Sequence, residues 1–390
     1  MNPFDEELNR RMEALRGQGL FRELRRVDSA QSPRIKIGGK THLNFSSNDY
    51  LGLANHPALK EAAIKAVGKF GAGAGASRLT CGSLAPFHEL EEKLAEFKKT
   101  EAALAFSTGY ATALGTICAL LGKDDIIIID KLVHASIVDA ARLSGAKLRV
   151  FSHNDLDSLE HILKWADKGK SQILVVTESI FSMDGDAAPL REIVGLKNKY
   201  GAWLMVDEAH ATGLYGKNRR GLAEELGVSN QIEIQMGTLG KALGASGGYI
   251  CGSRPLIDFL VNRARSLIFS TAPVPAAAAA ATAAIRFIQS TKGGARRMKL
   301  CLRILELQSQ IASRKSQIQS AIIPLIVGGE SRAVEIAAKL RGQNIFIPAI
   351  RYPTVARGAA RLRITLTAAH SSNDIATLTS ALSQIKNLKS

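Results

Sequence analysis

Between residues 100 and 252 the chain repeats one pattern, a short apolar run, a loop and a helical segment. The runs read AALAF, DIIIID, KLRVF, QILVVTES, AWLMVDEAH, IEIQMG and GGYICGS. Runs that lack polar alternation are strands buried on both faces, and the helices between them supply the cover. The pattern therefore specifies an α/β fold with a large, mostly parallel seven-stranded sheet. Ligands of such sheets bind beyond the carboxyl ends of the strands, and the polar residues of interest here fall where these strands end.

The flanking segments differ. The first 45 residues predict a helix over Phe4 to Arg26 and a hairpin, RIKIGGKTHLNF, turning at Gly38 and Gly39. An alanine-rich helix near 275–289 and a basic helix lead into strand AIIPLIV, helix SRAVEIAAKL, strands IFIPAI and ARLRITLT, and a final helix from about Asn373. The expected organisation is an arm at 1–45, a large domain at 46–285 and a smaller α+β C-terminal domain at 286–390.

Two motifs mislead. GAGAGAS at 71–77 satisfies the G-x-G-x-x-A fingerprint of dinucleotide enzymes, which works only where a strand enters the loop and a helix opens directly from it. Here a helical stretch, PALKEAAIKAVGKF, precedes it, and the next helix starts only near Pro86. VDEAH at 206–210 resembles the metal-holding segment of nucleic-acid-stimulated ATPases, but no G-x-x-x-x-G-K-[ST] loop accompanies it.

The net charge of +16 favours anionic partners. The densest basic stretch, KGGARRMKLCLRILELQSQIASRK, has apolar residues at helical spacing and no interleaved aromatics, so it reads as a solvated helix face and not a nucleic-acid surface. The acidic start MNPFDEELNRRM is unlike an export signal, and APVPAAAAAATAAI is a poor membrane span, so the expectation is a cytoplasmic protein without membrane contact. Cys81, Cys118, Cys251 and Cys301 lie far apart with no C-x-x-C pair, which argues against a zinc site and predicts reduced core thiols.

The chemistry gathers at the strand ends. Lys241 lies in MGTLGKALGASGG, where glycines leave room for a lysine to form an imine with a flat cofactor. Asp207 ends another strand and can keep a pyridine nitrogen protonated, and His210 follows three residues on. FSTGYATALG puts Gly109 and Tyr110 between a strand and a helix, where backbone N–H groups and the helix dipole take a phosphate. These are the needs of pyridoxal phosphate. His134, in DKLVHASIVDAARLSG, passes alone as a loop histidine; its place between the phosphate cup and Asp207 singles it out.

With LNFSSNDYLGL, FSMDGDAAPL, VDEAHATG, GTLGKALG and YPTVARGAARLRITLTAAH in this order, the chain resembles the α-oxoamine synthases over essentially its whole length. These are fold-type I pyridoxal-phosphate enzymes. The resemblance implies that Lys241 is the imine lysine and proton-transfer base, with His134 against the cofactor ring and facing substrate. Asp207 would meet the pyridinium and His210 the phenolic oxygen, with Ser182 and Thr238 among the cofactor contacts. It gives Gly109 and Tyr110 to the phosphate, and Ser270 and Thr271 to the phosphate of a neighbouring subunit, which implies a homodimer with shared active sites. Arg363 would receive the amino-acid carboxylate, while Arg22, Arg351 and Thr354 would meet the acyl substrate. GAGAGAS becomes a glycine-rich segment at the active-site mouth, although alanines occupy alternate positions in it. The implied reaction is a decarboxylative condensation, read from NFSSNDYLGL, AIRYPTV and RITLTAAH as L-alanine with a pimeloyl thioester. The thiol carrier is coenzyme A or an acyl carrier protein, and glycine-using relatives are the alternative.

Overall fold

The computed structural model describes residues 2–167, 169, 171–311 and 320–385. The first helix is Pro3–Gly17, shorter than the predicted Phe4–Arg26. Its end is set by Gly17-Gln18-Gly19, where Gly19 adopts φ +67° and the Gly19 and Leu20 N–H groups close back on Arg16 and Leu15. The hairpin follows as expected: β1 (Arg34–Ile37) pairs with β2 (Lys40–Asn44), and Gly38 and Gly39 both have positive φ, as a two-residue hairpin turn demands.

All seven apolar runs are strands of one sheet. They are β3 (Ala102–Phe106), β4 (Ile126–Asp130), β5 (Lys147–Phe151), β6 (Ile173–Glu178), β7 (Trp203–Asp207), β8 (Ile234–Thr238) and β9 (Gly248–Gly252). Their order is β3-β9-β8-β7-β6-β4-β5, and β9 runs against both its neighbours while the other pairs are parallel. Every residue of β3, β4, β6 and β9 is buried, whereas β5, at the edge, is mostly open. Helices Pro57–Phe70 and Ala85–Lys98 flank GAGAGAS, so no strand feeds that loop.

The C-terminal segment contains β10 (Ile322–Gly328), β11 (Ile345–Phe346), β12 (Ala349–Ile350) and β13 (Ala360–Thr365). The single strand expected over IFIPAI is split, with Pro348, which lacks an N–H, between the two halves. β11 joins β2 in parallel, while β12 pairs with β13, which also pairs with β10. The last helix, Ser372–Ser383, starts at a capping box between Ser371 and Asp374.

Tertiary contacts group the chain into two units, one of residues 1–50, 183–185 and 298–390, the other of residues 51–182 and 186–297. The sequence reading put a separate arm at 1–45 and a boundary at 285/286; the pairing of β2 with β11 is what draws the first residues to the C-terminal ones. Of the four cysteines only Cys251 is buried; Cys118 and Cys301 are half-buried and Cys81 is exposed, which corrects the expectation of four core thiols. No helix among the described residues is long and apolar enough to cross a membrane.

Candidate active site

Five strands of the large sheet deliver their chemistry to one edge. β3 runs into Thr108 and Gly109, β4 into His134, β6 into Glu178 and Ser182, β7 into Asp207 and His210, and β8 into Thr238 and Lys241. The ladder aligns these ends, since Glu178 pairs with Asp207, Asp207 with Met236, and Thr238 with Gly248, which in turn pairs with Phe106.

Lys241 is fixed by its own loop. Leu239 donates its N–H to Gly247, Ala245 to Leu239, and Gly244 to Lys241, while the Thr238 hydroxyl donates to the Gly247 carbonyl at 3.0 Å. Gly244 has φ +61°, and a Cβ there would lie 2.5 Å from the Ala54 nitrogen, so the turn admits only glycine. The Lys241 Nζ rests 2.7 Å from Nε2 of the buried His210.

Asp207 is buried and accepts the Ala209 N–H at 2.9 Å. Burial raises its carboxyl above the ordinary range, opposed by the charges of Lys241 and His134. His134 caps helix Ala135–Leu143 through Nδ1, which accepts the Ser136 N–H. Its desolvating surroundings hold the imidazole below its usual range, with Asp207 pulling the other way. A neutral His134 offers its ring as a flat face beside a carboxylate and an amine.

Helix Gly109–Leu120 is capped by Thr108, whose hydroxyl accepts the Ala111 N–H at 3.0 Å. The N–H groups of Gly109 and Tyr110 precede the first intrahelical hydrogen bond, at the end of the helix that follows β3. The helix comes close to β9, where a Cβ on Gly248 would lie 2.8 Å from the Gly109 Cα. The Tyr110 hydroxyl donates to Asp139 at 2.6 Å. Thr271 forms a β-bridge with Ser77 of the glycine-rich segment, and Ala272 donates to the Ala76 carbonyl, so the Ser270–Thr271 segment is braced by GAGAGAS.

Sequence reasoning missed Glu178. It is buried with one oxygen accepting the Ser182 N–H at 3.1 Å and the other, Oε1, without a partner among the described residues. The signal was an acid at the end of an otherwise apolar run, LVVTE. The donor set fits pyridoxal phosphate: an amine, a buried carboxylate, two imidazoles, a capped helix N-terminus and an orphaned buried oxygen lie along one edge.

Apart from His134, the substrate residues expected from the sequence belong to the other unit. Arg22 donates to the Tyr352 carbonyl at 2.7 Å, Arg351 donates to the carbonyls of Gly19 and Phe21, and the Thr354 N–H donates to Arg351. Arg351 keeps a buried Nε without a partner among the described residues. A cavity of about 560 Å³ lies here, lined by Arg16, Arg22, Arg25, Arg341 and Arg351. Arg363 is apart from this group, buried on β13, where it donates to Asn48 and Thr365.

The profile of the aminotransferase class I and II family matches residues 40–382. The chain is 46% identical over 388 residues to the 8-amino-7-oxononanoate synthase of Geotalea daltonii, covering 99% of this chain and 98% of the relative. It is 44% identical over 377 residues to that of Geobacter sulfurreducens, covering 96% of each. Among solved structures, serine palmitoyltransferase from S. paucimobilis, with bound PLP, superposes with a TM-score of 0.91 at 29% identity, covering 98% of this chain and 97% of the other. The 8-amino-7-oxononanoate synthase of Francisella tularensis gives 0.75 at 28% identity, covering 88% and 97%.

Proposed function

The chain belongs to the aminotransferase class I and II family, and from that premise we propose that it condenses L-alanine with a pimeloyl thioester, the reaction of 8-amino-7-oxononanoate synthases in biotin biosynthesis. The observation that carries this reading is the Lys241 amine held 2.7 Å from His210, beside the buried Asp207. Pyridoxal phosphate, when bound, supplies the electron sink for the carbanion formed at the amino acid's α-carbon.

Lys241 is the covalent anchor and, once free, the base that removes the Cα proton and later returns it. His210, 2.7 Å from that amine, steadies it and would meet the phenolic oxygen. Asp207 would keep the ring nitrogen protonated, His134 would cover the ring and meet substrate, and Ser182 and Thr238 would complete the ring contacts. The N–H groups of Gly109 and Tyr110 take the phosphate at the helix N-terminus. In the net reaction the alanine Cα bonds to the thioester carbonyl carbon and the C–S bond breaks. The thiol leaves with a proton, the carboxylate departs as carbon dioxide, and Cα is reprotonated.

Arg363 receives the alanine carboxylate in this reading, and Arg22, Arg351 and Thr354 meet the acyl chain. The arginine-lined cavity supports an anionic substrate end, because Arg22 and Arg351 otherwise satisfy themselves on backbone carbonyls. The protein works as a cytoplasmic homodimer in which Ser270 and Thr271 reach the phosphate of the partner. Its carrier is coenzyme A or an acidic acyl carrier protein.

The test is release of free thiol by the purified protein with pyridoxal phosphate. Release from pimeloyl-CoA with L-alanine, and not from acetyl-CoA with glycine, is the expected result. The opposite pattern moves the protein to a glycine-using acyltransferase.

A further inference from the structure

Glu178 is a buried acid at the sheet edge beside Asp207 to which no role has been given. It stands beside Asp207 in the ladder, so the backbones of these two buried acids lie one strand spacing apart, roughly 4.8 Å. It accepts the backbone N–H of Ser182, four residues on, at 3.1 Å, and the backbone N–H of His134, in the loop after β4, favours its charged form. The charged and titratable groups that face it are Asp207 from β7, Lys241 from the loop after β8, and His134 from the loop after β4.

We propose that Glu178 is a positioning residue that holds the His134 and Ser182 loops by their backbone N–H groups and, carrying a proton, leaves Asp207 as the carboxylate of the pair. Two adjacent buried carboxyls do not both ionise, so one must keep its proton. Asp207 is the better anion, because Lys241, the Ala209 N–H and His134 all favour its charge. Glu178 also has Lys241 and two backbone N–H groups on the side of its charge, but burial and the charge of Asp207 outweigh them and raise it to about 8. The inference rests on the site being one for pyridoxal phosphate.

The test compares Glu178→Gln and Glu178→Leu with the unaltered protein, following cofactor dissociation and the absorbance of the bound cofactor against pH. Glutamine keeps an acceptor for the two N–H groups and cannot ionise. Its expected signature is cofactor affinity within about threefold of the unaltered protein and loss of an inflection near pH 8. Leucine strands two buried donors, and its expected signature is affinity weaker by about tenfold or more. If Glu178→Gln loses affinity as badly as Glu178→Leu, a charge is needed there and the proposal is wrong. It is equally wrong if Glu178→Leu binds like the unaltered protein, or if the inflection survives in Glu178→Gln. Where Glu178→Leu does not fold, the glutamine variant alone decides. Failure of the underlying reading is distinct, since the unaltered protein would then bind no pyridoxal phosphate at all.

Discussion

His153 keeps a proton that its own burial would expel. Nδ1 lies 2.9 Å from Asp130 and Nε2 2.7 Å from Asp186, and against the cost of burial these two carboxylates raise the imidazole to about 10. Asp130 also accepts the Leu132 N–H on the way to His134, and Asp186 closes the loop that begins at Ser182, so one cation ties two approaches to the site. Because the folded value lies above the unfolded one, its stabilisation is complete below about pH 6.5 and is lost as pH rises through about 10. Replacing His153 with Gln is expected to cost of order 2 kcal/mol near neutrality in urea unfolding, discounted for the quarter of the side chain left in water, and almost nothing above about pH 11. A gap between the two proteins that stays constant across that range would remove the charge from the explanation. None of this was legible in the sequence. Lys241, Asp207, His134 and His210 could be read because each follows a strand within a recognisable block, whereas the roles of Glu178 and His153 depend on which strand lies beside which.

Helix Ala85–Lys98 ends in a side chain that anchors the loop after β7. The Lys98 amine donates to the Glu208 carboxylate and, at 2.7 Å, to the Arg220 carbonyl, while the other Glu208 oxygen accepts the Ala223 N–H at 2.9 Å. Both side chains are about 1% exposed. Burial works against the lysine's charge, but Glu208 outweighs it and raises the amine above its usual range. Lys98→Met strands a buried carboxylate and is expected to cost about 3–5 kcal/mol in urea unfolding, with Glu208→Gln in the same chain recovering part of it. A loss below about 1 kcal/mol would mean that water reaches Glu208 and that the pair holds little. At this scale the sequence was most readable where burial is uniform: the runs of β3, β4, β6 and β9 lack the polar alternation of a half-buried element and read as strands. It was least readable where a stop is conformational. The first helix ends at Gly17, stopped by Gly19 with positive φ despite helix-compatible residues beyond it, and IFIPAI splits between two sheets around Pro348.

For the whole molecule, composition announced an anion-seeking protein but could not say where the charge gathers; the arginines around Arg22 and Arg351 do so only once the N-terminal segment meets the C-terminal one. That meeting is a parallel pairing of β2 with β11 across some 300 residues of sequence, which no local pattern encodes. The proposed dimer has its own signature in what stays exposed. Phe269 is 70% exposed, with Arg265 over its ring, immediately before Ser270 and Thr271, and Leu79 and Val274 flank the same bridged segment with about half their surface in water. An isolated chain gains nothing from presenting such side chains beside two residues expected to reach another subunit's phosphate, whereas a subunit contact would bury them. Phe269→Asp should therefore shift the sedimenting species from dimer toward monomer and weaken pyridoxal phosphate binding in the same titration. The two losses should track each other, because the residue acts through the contact that completes the phosphate site. A variant that stays dimeric with unchanged affinity would place the subunit contact elsewhere. One that becomes monomeric yet binds the cofactor normally would mean that each chain completes its own site.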